Sequence, residues 1–355
     1  MLISQNIRIA GSLFGILILF MLTTVLVKIT IDPLSFFAVT MSTIWFINSF
    51  GAVLQGSLFG LIGLLPAKYS SVFMSGQGVA GIFAALAAIF SKISGVGKEA
   101  MALGYFITPC LVIFLTIIFY FTLPKLEFAR YHFTKGQQMP PKKESNMGLL
   151  FNDEDKSKVM PKSETALTNL EVGEDKVEKT SSLIKVLSKI WMTAISTCLV
   201  FTVTLSVFPA ITAKVSSQVE EGQWKDYFTP VACFLLFNIM DWAGRSITAV
   251  YMWPRRRIPL LVMVLVRFVF IPLFVLCNVK ERSHLPIIFR HDGWFILFMT
   301  LFAFSNGYLV TLCMCYAPKQ VSTRDAEMAG AIMAFFLSLG LALGAALSFA
   351  IRTMM

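Results

Sequence analysis

Nine apolar runs, each about long enough to cross a bilayer, leave this chain few architectures. They cover 9–27, 36–60, 70–92, 102–123, 186–212, 227–252, 259–279, 294–315 and 328–351. Runs of this length satisfy their backbone hydrogen bonds in lipid only as helices. Barrel strands would instead read as roughly 10-residue alternating segments, and none appear. With 56% hydrophobic residues, 14% charged residues and 33 phenylalanines, a water-soluble globular fold is excluded. The expected fold class is all-α, a polytopic bundle of nine membrane-spanning helices. The first run closes on Lys28-Ile29-Thr30-Ile31-Asp32 without a small-residue cleavage pattern, so it reads as a true span rather than a signal peptide.

The chain divides into residues 1–124, an incomplete half-bundle of four spans, a polar loop over 125–185, and residues 186–355, a half-bundle of five spans. The loop is rich in Lys, Glu, Asp and Ser and poor in large apolar residues, so it is expected to be disordered. Placing that loop in the cytoplasm also puts Arg8, Lys68, Arg255-Arg256-Arg257, Lys319 and Arg324 inside, as the positive-inside rule favours, and the C-terminus outside. Many transporters join two six-helix halves through a cytoplasmic loop. Against that pattern the first half is two spans short, which reads as an N-terminally shortened form.

The net charge of +10 is scattered over short loops without an aromatic-interleaved basic patch, so no nucleic-acid partner is expected. Cys110, Cys198, Cys233, Cys277, Cys313 and Cys315 all fall in or beside apolar runs, a pattern of reduced, packed thiols. His132, His284 and His291 lie outside the runs and form no ligand cluster. With no nucleophile–base–acid set either, the chain reads as neither an enzyme nor a metal or cofactor protein. Its environment is the lipid bilayer; its oligomeric state is not legible.

Chemistry concentrates in Asn238-Ile239-Met240-Asp241-Trp242-Ala243-Gly244-Arg245. A charge at mid-membrane costs about 2.5–3.5 kcal/mol on insertion scales, so charges there call for a reason. Asn238, Asp241 and Arg245 stand at i, i+3 and i+7, on one helix face, with the acid four residues before the base. A self-neutralising structural pair is one reading; a polar stripe facing a solute pathway is the favoured one. The second span repeats the spacing in Asn48, Gly51 and Gln55, with Ser57 beyond. Their amides suit a hydrogen-bonding solute such as a nucleobase or sugar, with interhelical polar contact as the alternative. Phe234, one turn before Asn238, offers a stacking face or core packing. Phe208-Pro209 is placed to break the fifth span. Arg267 is a third intramembrane charge, close enough to a span end to snorkel. Gly56-x-x-x-Gly60, Gly340-x-x-x-Gly344 and Ser75-Gly76-Gln77-Gly78-Val79-Ala80-Gly81 read as close-packing helix surfaces.

The run Phe46-Ile47-Asn48-Ser49-Phe50-Gly51-Ala52-Val53-Leu54-Gln55-Gly56-Ser57-Leu58-Phe59-Gly60 resembles the fourth-helix signature of equilibrative nucleoside transporters. Met74-Ser75-Gly76-Gln77-Gly78 with Ala80-Gly81, and Phe237-Asn238-Ile239-Met240-Asp241-Trp242 with Gly244-Arg245-Ser246, resemble its fifth and eighth helices. Phe304-Ser305-Asn306-Gly307-Tyr308-Leu309 and Ala329-Gly330-Ala331 are similar to its last two. The resemblance covers nearly the whole chain and is nearest the type 1 branch, partly because Gly51 stands where type 2 has serine. It implies an eleven-helix, major-facilitator-like fold, of which this chain carries helices three to eleven. It implies facilitative, sodium-independent, bidirectional nucleoside transport by alternating access at the plasma membrane. By the same resemblance Gln55, Asp241 and Arg245 contact the nucleoside, with Asn238 nearby, and Phe208 and Leu341 line the cavity. Gly51, Ser57 and Pro209 are tied to inhibitor sensitivity or gating, and Gly76 and Gly81 to transport and folding. A non-transporting shortened form, or a proton-coupled carrier using Asp241, are the alternatives.

Overall fold

A computed structural model describes residues 4–29, 32–63, 67–94, 98–127, 129–130, 183–219, 221–280, 286–322 and 325–354. The loop expected over 125–185 lies almost wholly outside these residues, and the expectation of disorder there goes with it. The first four helices are α1 (Gln5–Leu26), α2 (Pro33–Gly63), α3 (Ala67–Ser94) and α4 (Lys98–Thr122). They are followed by α5 (Leu183–Val207), α6 (Gln223–Phe228), α7 (Leu236–Ile247), α8 (Arg257–Val266), α9 (Phe270–Val275), α10 (Asp292–Tyr316) and α11 (Ala326–Met354). Apart from short 3-10 turns and two isolated β-bridges, the described residues are helical wherever they are regular.

Among the described residues eight helices are long and apolar enough to cross a membrane, against the nine runs of the sequence. The ninth, around 227–252, is helical but not one α-helix. Between α6 and α7 the chain winds as a π-helix over Thr229–Leu235, with Pro230 at its start. Proline lacks the amide hydrogen an α-helix would use, and π turns collect where that ladder is disturbed. Asp241 and Arg245 lower the apolar character of what remains, and the helix ends at Ile247 rather than Met252. The run 259–279 is likewise assembled from α8, a 3-10 turn at Arg267–Val269, and α9.

Glycines set the tight crossings. A Cβ added at Gly244 would press on the Phe304 carbonyl, and one at Gly307 on the Asp241 carbonyl, so α7 and α10 cross backbone to backbone. α5 and α11 meet likewise at Gly340 and Gly344, where Thr202 Oγ1 donates both to its own-helix Cys198 carbonyl (2.9 Å) and to Gly340 O (3.3 Å). α2 meets α11 at Gly60 and Gly330. Small residues at such points let dispersion act over a long line of contact, the main attraction available between helices in lipid.

Polar contacts tie the bundle at both ends. Arg8 on α1 pairs with Glu327 at the start of α11, and Arg257 Nη1 donates to the Lys189 carbonyl at the start of α5, 3.1 Å away. Ser71 and Cys315 meet at the same end, 3.6 Å apart. At the opposite end Lys92 Nζ donates to the Asp226 carbonyl and lies 5.1 Å from the Tyr227 ring centroid. The two sets of spans are therefore bridged at both ends.

Candidate functional site

α7 delivers Asp241 and Arg245 to the interior from one face, because residues four apart align on a helix. Arg245 Nε donates to Asp241 Oδ2 at 2.7 Å, and both residues are buried, at 9% and 5% exposure. Asp241 Oδ1 accepts from Asn306 Nδ2 on α10, also at 2.7 Å. Both carboxylate oxygens are thus engaged. Arg245 Nη1 reaches α3, donating to Gln77 Oε1 at 3.3 Å and the Met74 carbonyl at 3.5 Å. The pair therefore joins α3, of the first four spans, to α7 and α10 of the last five.

The network continues beyond Asn306. Its Oδ1 accepts from Thr204 Oγ1 on α5 at 2.7 Å and from Arg267 Nη2 at 3.4 Å. Arg267 does not snorkel: it is 1% exposed, donates to Thr204 Oγ1 (2.9 Å) and Ser305 Oγ (3.1 Å), and lies 4.9 Å from the Phe302 ring centroid. The 3-10 turn that begins at Arg267 sits between α8 and α9, well inside the apolar run.

The remaining sequence candidates are distributed around this core. Asn238 turns toward α3: Nδ2 donates to the Phe234 carbonyl (2.8 Å), and its Oδ1 occupies the space a Cβ at Gly81 would need. That contact supplies a physical reason for glycine at 81. Gly76 is different. It is exposed and a Cβ there would meet nothing within 4 Å, so the close packing expected of Ser75–Gly81 runs through Gly78 and Gly81 instead. Gly78 faces Trp242 Cα, 2.9 Å from an added Cβ.

Phe208 stacks on Phe237 at 3.9 Å between centroids and meets Phe234 edge-on at 5.8 Å. α5 ends at Val207, directly before Phe208 and an exposed Pro209 joined by a cis peptide. Leu341 is half-buried against the α5–α10–α11 core. On α2 the amide stripe does not converge on the ion pair. Asn48 is exposed and bonds its own-helix Ile44 carbonyl at 2.8 Å. Gln55 is half-buried, and no hydrogen bond ties it to Asp241 or Arg245 among the described residues. Gly51 faces open space, while Ser57 is buried with its hydroxyl unpartnered and its carbonyl accepting from Gln5 Nε2 at 2.9 Å.

Gln77, Thr204, Ser305 and Asn306 were not singled out from the sequence as site residues. The available signal was an amide in the middle of an apolar span, which Asn306 and Gln77 both are. All six cysteines are free, and no group of metal-ligating side chains occurs among the described residues.

A many-helix bundle with a buried, charged network tying its two sets of spans together is that of a polytopic membrane protein. A family model described as nucleoside transporter matches residues 41–353. The chain is 52% identical to equilibrative nucleoside transporter 2 of Rattus norvegicus over 365 residues, 99% of this chain and 80% of that one. It is 50% identical to equilibrative nucleoside transporter 1 of Homo sapiens over 354 residues, 99% of this chain and 76% of that one. Against equilibrative nucleoside transporter 3 of Rattus norvegicus the identity is 31% over 351 residues, 97% of this chain and 71% of that one. The chain belongs to the equilibrative nucleoside transporter family. Overall identity stands about equal for types 1 and 2, so it does not favour the type 1 branch that Gly51 pointed to.

Proposed function

We propose that this chain carries nucleosides such as adenosine and uridine across a membrane by facilitated, bidirectional, sodium-independent transport. The observation that carries the reading is the Asp241–Arg245 pair, buried in the bundle and bonded to Asn306 and Gln77. A ribose presents hydroxyls that both donate and accept; a carboxylate beside a guanidinium offers the complementary acceptor and donor. Asp241, Arg245 and Gln55 then contact the nucleoside, with Asn238 nearby and Phe208 and Leu341 lining the path. The aromatic group Phe208–Phe234–Phe237 supports a base-facing wall on the same side.

Alternating access needs two states of similar free energy and contacts that break in turn. Arg8–Glu327 at one end and Lys92–Asp226 at the other are contacts of that kind between the first four and the last five spans. The basic end, with Arg8, Arg255, Arg256, Arg257 and Lys319, fits the cytoplasmic side of a plasma membrane, with the C-terminus outside. No step calls for a bound cofactor or metal. Uptake of labelled uridine into vesicles containing the purified chain tests the reading. Saturable uptake that unlabelled adenosine suppresses is expected; uptake no faster than in protein-free vesicles would overturn it.

A further inference from the structure

We propose that Arg267 is a positioning residue for the Asp241–Arg245 site, acting through the side-chain amide of Asn306. The inference rests on the reading of Asp241 as a nucleoside contact. A guanidinium this deep in the bundle, 1% exposed, carries a large desolvation cost, yet the groups it bonds here are neutral: Ser305, Thr204 and Asn306. Neutral polar glue between helices does not need a charge. A guanidinium adds direction, since it donates only and never accepts.

That direction propagates. Arg267 Nη2 donates to Thr204 Oγ1, so the Thr204 hydroxyl proton points away, and the relay assigns it to Asn306 Oδ1 at 2.7 Å in preference to the Val200 carbonyl at 2.8 Å. With two donors converging on Oδ1, the Asn306 amide has one orientation, and Nδ2 faces Asp241 Oδ1 at 2.7 Å. The opposite flip would set the amide nitrogen against Arg267 and its oxygen against a carboxylate. Arg267 to Thr204 to Asn306 to Asp241 is thus a chain of donors running one way, the arrangement in which hydrogen bonds strengthen one another. It ends by holding the carboxylate whose other oxygen meets Arg245. The charges support the same direction, since Asp241 lies between two guanidinium groups, one in direct contact and one relayed.

The test is a double-mutant cycle on the full chain in vesicles, with uridine as probe and rates normalised to protein present. Arg267→Gln is expected to raise the uridine KM about tenfold, the scale of one lost charge-assisted hydrogen bond. Asn306→Leu should do the same, and the double variant should be no worse than Asn306→Leu alone. Arg267→Lys keeps the charge and the donor and should recover most of the loss. Multiplying effects in the double variant, or Lys and Gln behaving alike at 267, would overturn the inference. Should Arg267→Gln fail to accumulate, Thr204→Val interrupts the same chain by exchanging a hydroxyl for a methyl, with the same KM expected. A second readout needs no transport. The Asp241 carboxylate infrared band, isolated by subtracting the Asp241→Asn spectrum, should shift equally in Arg267→Gln, Asn306→Leu and the pair; an unshifted band contradicts the relay. A chain that takes up no uridine would strike the nucleoside reading alone, and the band would still decide the inference.

Discussion

α5 and α10, of the last five spans, and α2 and α4, of the first four, meet the membrane in different ways. In the apolar window of α10, 67% of residues are buried and in α5 56%, whereas in α2 and α4 the figure is 6%. The later spans close on one another through glycine crossings and a shared charged network. α2 and α4 instead present Leu34, Phe37, Trp45, Leu111 and Phe119 outward. Hydrophobic residues on the outside cost nothing in lipid, so exposure there is no defect; polar groups are what must be enclosed. Asp241, Arg245, Arg267 and Asn306 are enclosed by the later spans, and among the described residues the hydrogen bonds they make with the first four go to α3, at Gln77 and Met74.

The sharpest way to break this contrast is at the ion pair. Asp241→Ala or Arg245→Ala leaves a buried charge unpaired, at a cost of about 3–5 kcal/mol, and should abolish uridine uptake and lower the amount of folded protein. Replacing both with apolar residues should restore the protein level without restoring uptake, as measured by membrane abundance alongside flux. Recovered transport in that double variant would make the pair purely structural.

A smaller effect separates the two regions through glycine. Gly307→Ala sets a methyl against the Asp241 carbonyl and should cost about 1–3 kcal/mol by overpacking. Gly76→Ala meets nothing and should stay within about 0.5 kcal/mol of the parent. Thermal unfolding in detergent reads both, and equal losses would erase the distinction.

Gln55→Ala should raise the uridine KM while membrane abundance holds, since a buried polar solute loses a partner. Unchanged kinetics would remove α2 from the site and leave it entirely to α3 and the later spans. The mildest change is expected from Lys92→Met, which removes one cation–π contact and one backbone hydrogen bond at the end opposite Arg8–Glu327. About 0.5–1 kcal/mol is at stake, visible as a modest shift in the balance of inward and outward rates rather than as loss of flux.

Much of the fold was legible because apolar length is a one-dimensional property. The ranges read from the sequence fall close to the helices found. The exception, 227–252, failed where Thr229-Pro230 alters the helical ladder, an event that hydropathy does not register. Asp241 and Arg245 were legible as a pair because their spacing is local. Asn306, Thr204 and Gln77 were not, because their roles depend on partners 63 to 168 residues away in sequence, as in the Arg267–Thr204, Thr204–Asn306 and Arg245–Gln77 contacts. Arg267 was misplaced for the same reason: its position along the run says nothing about which neighbours cover it. Gly76 shows the converse, since its motif is dense in small residues but only Gly78 and Gly81 point at a partner.

Facilitated exchange is tested most directly by vesicles containing this chain, loaded with unlabelled uridine and given labelled uridine outside, with and without an imposed sodium or proton gradient. Labelled uridine should enter faster than in unloaded vesicles and settle at equal concentration on both sides, with neither gradient changing the endpoint. Accumulation above the outside concentration driven by either gradient, or no entry at all, would contradict it.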